Sequence, residues 1–168
     1  MRTLLIGLPL LALAAVIESA VLPDLRVLGG GSVNVVLLFT LGWTLAGDWN
    51  GGLLWGLLGG LCLDLLSGGP LGASALALVL VAFIASLAEG QLWRSHILLP
   101  LAATLLGSVL YHLTLLVILA IFGFTFDWGQ ALGGVLLPAT LLNIVLIVPI
   151  YEILRRLRTW VYPVAVNK

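Results

Sequence analysis

The sequence predicts an all-α integral membrane protein, a bundle of six transmembrane helices. Of its 168 residues, 62% are hydrophobic and only 8% are charged, and the mean hydropathy is +1.25. A soluble domain carries about 25% charged residues because it must present a wetted surface. The seven acids and seven bases here cannot cover a globule of this size. The surface is therefore expected to face lipid, with residues 1–168 forming one transmembrane domain.

Six apolar segments have the lengths of membrane helices, which need about 20 residues, or fewer where neighbours bury them. We predict helices near residues 3–22, 33–47, 51–66, 73–92, 97–122 and 130–154. The breaker residues at 47–52 predict a tight turn between the second and third helices. One long broken helix is the alternative, but it would place Asp48 and Asn50 deep in lipid at a high energetic cost.

The basic residues are distributed unevenly between the two sides that these helices define. With both termini in the cytoplasm, the outer side carries Arg26. The inner side carries Arg2, Arg94, Arg155, Arg156, Arg158 and Lys168. This bias follows the positive-inside rule, and an odd number of helices would break it. Interfacial aromatic residues fit the same topology: Trp93, Trp160 and Tyr162 inside, and Trp128 outside.

The first apolar segment also has features of a secretory signal. Arg2 precedes an apolar core, and Glu18-Ser19-Ala20 stands where a cleavage site would be. The apolar stretch continues through Leu22, however, and a glutamate just before a cleavage site is unusual. We expect this segment to remain as the first helix.

Glycines form a stripe along the third predicted helix. Gly52, Gly56 and Gly60 recur every four residues, and Asp64 continues the stripe. In lipid no hydrophobic force draws helices together, so close contact depends on small residues that let backbones approach. The stripe is predicted either to pack inside the bundle or to dock another membrane protein.

Asp64 lies near the outer end of this helix, just before a turn at residues 67–72. Gly68 and Gly69 are expected to supply positive φ angles there, and Pro70 a bend. Intramembrane acids are functional candidates by default, but an acid at this depth also suits the pinning of a turn. Both interpretations stay open, and Asp64, Pro70 and Gly72 join the glycine stripe as a predicted helix-packing or partner interface.

Polar residues also follow one edge of the fifth helix, which we expect to face the interior of the bundle. Thr104, Ser108 and His112 are spaced at i, i+4 and i+8. Counting residues at a rise of about 1.5 Å each puts His112 at the depth of Thr140 and Asn143 in the sixth helix. We predict interior polar contacts for His112, Thr140 and Asn143, with an interhelical hydrogen bond for His112. A proton or substrate role for His112 is the alternative. Metal binding would need more His, Cys or carboxylate partners than the chain offers.

The inner end of the sixth helix carries a charged group. Glu152 is spaced i+3 and i+4 from Arg155 and Arg156, which predicts a surface ion pair worth about 0.2–0.5 kcal/mol. With Arg158, these arginines are predicted to anchor the helix at the cytoplasmic face. Anionic lipid and a cytoplasmic protein are both possible contacts.

The sequence lacks the polar chemistry of an enzyme. It has no nucleophile–base constellation and no phosphate-binding loop, and Glu18, expected to pair with Arg26 or stay solvated, is the only acid at the depth of Asp64. No basic stripe with interleaved aromatics points to nucleic acid. Cys62 stands alone, which excludes an intrachain disulfide. We predict no catalytic, cofactor-binding or metal-binding residues.

A specific motif runs through residues 56–72. It contains Gly60-Leu61, then Asp64, then Leu65-Leu66-Ser67-Gly68, and then Pro70-Leu71-Gly72. With the chain's length, its six predicted spans and its ending from Pro149 to Arg156, this motif resembles the bacterial rod shape-determining protein MreD family. One departure is that Val33-Asn34 stands where family members often have Pro-Asp or Pro-Asn, so the proline kink is absent.

The resemblance implies a non-catalytic scaffold of the elongasome, which directs peptidoglycan synthesis and cell shape from the bacterial inner membrane. It implies that the chain pairs with the single-pass protein MreC. It also implies association with the actin-like MreB, the glycosyltransferase RodA and a class B penicillin-binding protein.

The family's fold is similar to the substrate-binding subunits of energy-coupling-factor transporters, which supplies an alternative function, a vitamin-binding membrane subunit. Capturing a vitamin needs several convergent polar and aromatic groups in a concave site. The outer halves of the helices offer a thin set: Glu18, Asn34, Asp64, Ser67, Ser74 and Trp128. A third hypothesis is a proton-coupled carrier built on Glu18, Asp64 and His112.

Overall fold

The computed structural model describes residues 2–22, 30–88 and 98–161. All the secondary-structure elements in these ranges are helices. The first is α1 (Arg2–Val16), which continues into a π-helical turn at Ile17–Val21. It is followed by α2 (Val35–Leu45), α3 (Trp49–Ser67), α4 (Ala73–Ala88) and α5 (Leu98–Ile121). A π-helical segment, Gln130–Leu136, leads into α6 (Leu137–Val161).

Three helical stretches are long and apolar enough to cross a membrane, judged by length and composition. They are Trp49–Ser67, Leu98–Ile121 and Gln130–Trp160. Gly7–Val21, Val35–Leu45 and Ala73–Leu87 are shorter apolar helices. The all-helical fold is consistent with the predicted all-α membrane protein, and the count of six membrane spans stays a prediction.

The structure describes only some of the residues on which the predicted membrane topology depends. Trp128 and Trp160 are both exposed, at opposite ends of the bundle. Arg26, Trp93, Arg94, Tyr162 and Lys168 lie outside the described residues, as do the side chain of Arg2 and the predicted helix ends at residues 89–92 and 97.

The turn between α2 and α3 makes them two separate helices rather than one broken helix. Gly47 reverses the chain with a φ of +98°. Asp48 then caps α3, because its Oδ1 accepts a 2.9 Å hydrogen bond from the Gly51 backbone N–H. The turn is therefore shorter than the predicted 47–52, and Gly51 and Gly52 are helical. We term this the Asp48 end of the bundle, and the opposite end, where α3 leads into α4, the Asp64 end.

Two stacked tryptophans lie in the core beside this turn. The rings of Trp43 on α2 and Trp55 on α3 have centroids 4.3 Å apart and planes inclined by 19°. Neither residue is exposed. The Trp43 indole Nε1 donates a 2.9 Å hydrogen bond to Asp48 Oδ2. Asp48 therefore joins the turn, the start of α3 and the aromatic core.

The glycine stripe of α3 is covered within the chain. A Cβ on Gly60 would lie 2.5 Å from the backbone nitrogen of Ala75, and one on Gly56 would lie 3.1 Å from the carbonyl of Leu78, both on α4. Gly52 faces α2 instead. Because all three glycines are buried, the geometry supports helix packing for this stripe rather than a face open to another protein.

Candidate interaction site at the Asp64 end

Asp64 on α3 caps the first turn of α4. Its Oδ2 accepts hydrogen bonds from the backbone N–H groups of Gly72 at 2.8 Å and Ala75 at 3.3 Å, and its Oδ1 accepts one from Ser74 at 2.9 Å. The first N–H groups of a helix have no partner within it, and a negative charge there is favourable. Asp64, which is 3% exposed, therefore holds α4 against the end of α3.

The turn that Asp64 holds has a backbone that requires glycine at two positions. Gly68 ends α3 with a φ of +67°, and Gly72 precedes α4 with a φ of +92°. The second positive φ thus falls at Gly72 and not at the predicted Gly69. A Cβ at Gly68 or Gly72 would meet no described atom within 4 Å, so the requirement is conformational rather than steric. Pro70, between them, accepts a 3.2 Å hydrogen bond from the Ala73 N–H through its carbonyl.

Glu18 makes a matching cap for α2. From the π-helical turn after α1, its Oε2 accepts a 3.0 Å hydrogen bond from the Val36 backbone N–H. Its Oε1 accepts a second bond, of 3.2 Å, from Asn34 Nδ2. Glu18 was expected to pair with Arg26 or to stay solvated; Arg26 lies outside the described residues. The partners that the structure gives Glu18 are amide groups at the start of α2.

Asn34 extends this network to α5 and α6. Its backbone N–H donates to Asn143 Oδ1 at 2.9 Å, and Asn143 Nδ2 donates to Asn34 Oδ1 at 3.1 Å and to Ser108 Oγ at 3.0 Å. Asn143 is fully buried. Buried polar networks favour one arrangement of their helices when their members are paired. The chain Glu18–Asn34–Asn143–Ser108 therefore ties together the α1 extension, α2, α6 and α5.

Two of the predicted interior residues make no hydrogen bond to another helix within the described part of the chain. His112 Nδ1 lies 2.7 Å from the Ser108 carbonyl oxygen, one turn earlier on α5. Because a carbonyl only accepts, Nδ1 carries the proton. The hydrogen bond of His112 is thus within α5 rather than between helices, and Ser108 makes the interhelical contact instead. Thr140 is buried, and its hydroxyl has no partner among the residues described.

A cavity of about 430 Å³ lies between the two caps at the Asp64 end. Glu18 and Asp64 line it, together with Ser74 and Tyr111. The apolar part of the lining includes Leu115, Leu119 and Phe124. Binding cavities in proteins measure about 300–1,000 Å³, so this one is large enough to receive a ligand or a protein side chain.

Apolar side chains are exposed on the turn beside the cavity. Leu65 and Leu71 are each 71% exposed, and Leu66 is also exposed. Ser67 and Pro70 of the same turn line the cavity itself. Exposed apolar side chains beside a cavity are a feature of interaction surfaces. Leu65, Leu66, Leu71 and the cavity are termed the Asp64-end surface below.

Sequence reasoning missed Tyr111 as part of this site. Tyr111 follows Thr104 and Ser108 by seven and three residues, so it shares their helix face. It is 4% exposed and lines the cavity. The sequence predicted that this helix face points into the bundle, and the burial of Thr104, Ser108 and His112 confirms it; Tyr111 was not among the residues predicted for that face.

At the Asp48 end, the exposed ion pair is found as predicted from its spacing. Arg155 Nη2 lies 2.9 Å from Glu152 Oε2, and Arg156 Nε lies 2.9 Å from Glu152 Oε1. All three side chains are well exposed. Such a pair contributes little to stability.

Arg158 differs from these two arginines. Its Nη1 and Nη2 donate hydrogen bonds to the carbonyl oxygens of Ala46 and Gly47, just after α2. The last carbonyls of a helix have no partner within it, and a cationic side chain suits them. Arg158 therefore connects α6 to the α2–α3 turn, whereas the sequence grouped it with Arg155 and Arg156 as a surface anchor.

The motif at residues 56–72 thus places a buried acid, a turn with two glycines of positive φ and a cavity together. The family model described as rod shape-determining protein MreD matches residues 1–159. The chain belongs to the MreD family. The resemblance is thereby confirmed, and membership implies involvement in rod shape determination. MreD is a shape-determination component and not a known enzyme family.

No curated protein matches the chain, and no solved structure matches it. The similarity of this MreD-family chain to energy-coupling-factor subunits therefore stays a prediction. The comparisons give no support to the vitamin-binding alternative. Among the described residues, no group of three or more His, Cys, Asp or Glu side chains is arranged to hold a metal ion.

Proposed function

We propose that the chain is a non-catalytic scaffold of the bacterial elongasome that binds MreC in the inner membrane. It would also associate with MreB, RodA and a class B penicillin-binding protein, and so support peptidoglycan synthesis along the cell's length. Family membership supports the role in rod shape. The observation that carries the docking proposal is the Asp64-end surface, where exposed leucines adjoin a cavity of about 430 Å³.

The hydrogen bonding of the two acids supports a structural role. Asp64 accepts three backbone hydrogen bonds, and Glu18 accepts one from backbone and one from a side chain. A general base or proton carrier needs a group positioned to exchange a proton with its target. Here both carboxylates already serve helix N-termini. This pattern favours a scaffold over a carrier built on Glu18, Asp64 and His112.

The Asp64-end surface has the features of a docking site. Partner residues that dominate a protein interface insert into pockets, surrounded by contacts that exclude water. The cavity supplies a pocket with hydrogen-bonding groups on its wall, and Leu65 and Leu71 supply apolar contact beside it. We propose that MreC docks here and that Asp64 acts by holding the turn in one conformation.

Co-purification and complementation test this proposal together. The chain, tagged and extracted in mild detergent, should capture MreC and restore rod shape to cells lacking their own MreD. Leu71→Ala should weaken both, because it removes exposed apolar contact without disturbing the core. Leu106→Ala is the matched control, since Leu106 is 67% exposed on α5, away from this surface. Full MreC capture by Leu71→Ala and Leu65→Ala would overturn the docking site. Failure of the unaltered chain to restore shape would overturn the scaffold role.

We further propose that both termini are cytoplasmic and that the Asp64 end faces outward. Arg155, Arg156 and Arg158 all lie at the Asp48 end, in agreement with the positive-inside rule. Reporter fusions before Arg2 and after Lys168 should both be active only as cytoplasmic reporters. A periplasmic signal from either terminus would contradict the six-helix topology.

A further inference from the structure

We propose that the exposed face of α6 at the Asp48 end is a binding site for an anionic phospholipid, with Arg156 holding the headgroup phosphate. This proposal is independent of how the chain binds MreC, because the face lies at the opposite end from the Asp64-end surface.

An exposed apolar stripe leads along α6 to Arg156. Residues three or four apart lie on one face of a helix. The exposed residues at this spacing on α6 are Leu137, Leu141, Val145, Pro149 and Ile153, followed by Arg156 and Trp160. Because four residues are slightly more than one turn of about 3.6 residues, the stripe that they form winds gradually around the helix. The stripe is continuous and apolar over most of the helix, and it changes to one cation and one indole at the end. An acyl chain along the stripe would bring its headgroup to Arg156.

Arg156 has hydrogen-bond donors available for a phosphate. Within the residues that the structure describes, only its Nε is engaged, in the 2.9 Å bond to Glu152 Oε1. Its Nη1 and Nη2 have no partner among the described residues, and the side chain is 79% exposed. Arg155 differs, because both its Nε and its Nη2 donate to Glu152. A guanidinium binds phosphate through two parallel N–H groups, and Arg156 retains both terminal nitrogens for that purpose.

Trp160 completes the site on the same face. It lies four residues after Arg156 and is 82% exposed. Tryptophan favours the headgroup level of a membrane, where its ring contacts lipid and its N–H finds an acceptor. Two arginines and Glu152 give this group a net charge of +1, which attracts an anionic headgroup. A cytoplasmic protein is a poorer occupant, because the charged group continues an apolar stripe along the helix rather than a polar surface.

Thermal unfolding of the purified full chain in a neutral detergent tests the proposal. Phosphatidylglycerol and cardiolipin, added separately, should raise the Tm, whereas phosphatidylcholine should raise it much less. Inorganic phosphate at the same concentration should not raise it, because it lacks the acyl chains that follow the stripe. A ligand raises the Tm in this way when it binds the folded chain and not the unfolded chain.

Variants at adjacent positions identify the residue responsible. Arg156→Gln should lose most of the Tm increase caused by anionic lipid, and Arg155→Gln should keep most of it. Arg156→Lys should be intermediate, because a lysine keeps the charge but not the forked donors. Trp160→Ala should also reduce the Tm increase caused by anionic lipid, because it removes the exposed indole of the proposed site.

Three results would overturn the proposal. One is an equal loss for Arg155→Gln and Arg156→Gln, which would indicate unspecific attraction by positive charge. Another is an equal Tm increase from phosphatidylcholine or from inorganic phosphate. The third is an anionic lipid that raises the Tm of Arg156→Gln as much as that of the unaltered chain. That result would overturn the proposal whether or not the variant also loses a cytoplasmic protein partner.

Discussion

Glu18 and Asp64 stand in the same relationship to the helix that follows each of them. Each carboxylate lies at the end of one helix and accepts hydrogen bonds from the N-terminal backbone of the next, α2 for Glu18 and α4 for Asp64. Asn34, at the start of α2, makes no capping bond with its own side chain. The chain therefore joins α1 to α2 and α3 to α4 by the same device, and both acids face one cavity.

Replacing Asp64 should destabilise the fold in steps. Asparagine keeps one acceptor oxygen and leaves at least one of the three N–H donors unpaired; leucine leaves all three unpaired. Each buried unpaired donor costs about 1–3 kcal/mol. The free energy of unfolding should therefore be highest for the unaltered chain, lower for Asp64→Asn and lowest for Asp64→Leu. Equilibrium unfolding in detergent measures this order. Equal and complete loss of shape function in both variants, with normal expression and stability, would mean that the charge itself is used.

Glu18 and Asn143 should be energetically coupled through Asn34, although they do not bond to each other. In a double-mutant cycle of Glu18→Gln and Asn143→Leu, we expect a coupling of about 0.5–3 kcal/mol, the range for residues in one network. Arg158→Gln, at the other end of the bundle, is the control partner for Glu18→Gln. That pair should be additive within about 0.5 kcal/mol. Additivity in both cycles would show that the network does not act as a unit.

Gly60→Ala should destabilise the chain, because the added Cβ would collide with the α4 backbone at Ala75. Overpacking of this kind costs about 1–3 kcal/mol. Gly133→Ala is the matched control, since a Cβ there would meet no atom of the described residues within 4 Å. Urea or thermal unfolding of both variants in the same detergent makes the comparison. A Gly60→Ala variant as stable as Gly133→Ala would mean that α3 and α4 are farther apart than the structure has them.

Arg158→Gln should lower the free energy of unfolding more than Arg156→Gln does. The first removes charge-assisted hydrogen bonds to two carbonyls after α2, and hydrogen bonds to charged groups contribute about 1.5–3 kcal/mol. The second alters an exposed ion pair, and surface changes of that kind stay within about 0.5 kcal/mol. The free energies of unfolding, measured without added lipid, should separate the two variants. The prediction fails if they are equally stable.

Local features of the site could be predicted from the sequence. Asp64, Gly68, Pro70 and Gly72 are close neighbours in the chain, so an acid that pins a glycine turn was visible in their order. The same holds for Glu152 and its two arginines, whose spacing alone places them on one helix face. In each case the partners lie within a few turns of one another, and local geometry decides the contact.

Contacts between distant segments could not be predicted. Asn34 and Asn143 bond across 109 positions of sequence, and only the packing of α2 against α6 brings them together. The contact between Arg158 and the end of α2 could not be predicted for the same reason. It follows buried Leu154 by four residues and so shares its inward face, but which face of α6 is inward depends on the whole bundle. Ser108, and not His112, makes the interhelical contact because Asn143 lies at the level of Ser108, one helical turn before His112.

The stacked pair Trp43 and Trp55 also has an optical consequence. Two indoles with centroids 4.3 Å apart couple their excited states, which produces a circular-dichroism signal that isolated tryptophans lack. That signal lasts only while α2 and α3 are paired. Trp49 and Trp160 are exposed, so their emission responds to detergent or lipid instead. The unlabelled chain thus reports the pairing of these two helices by dichroism and the surroundings of its surface by fluorescence.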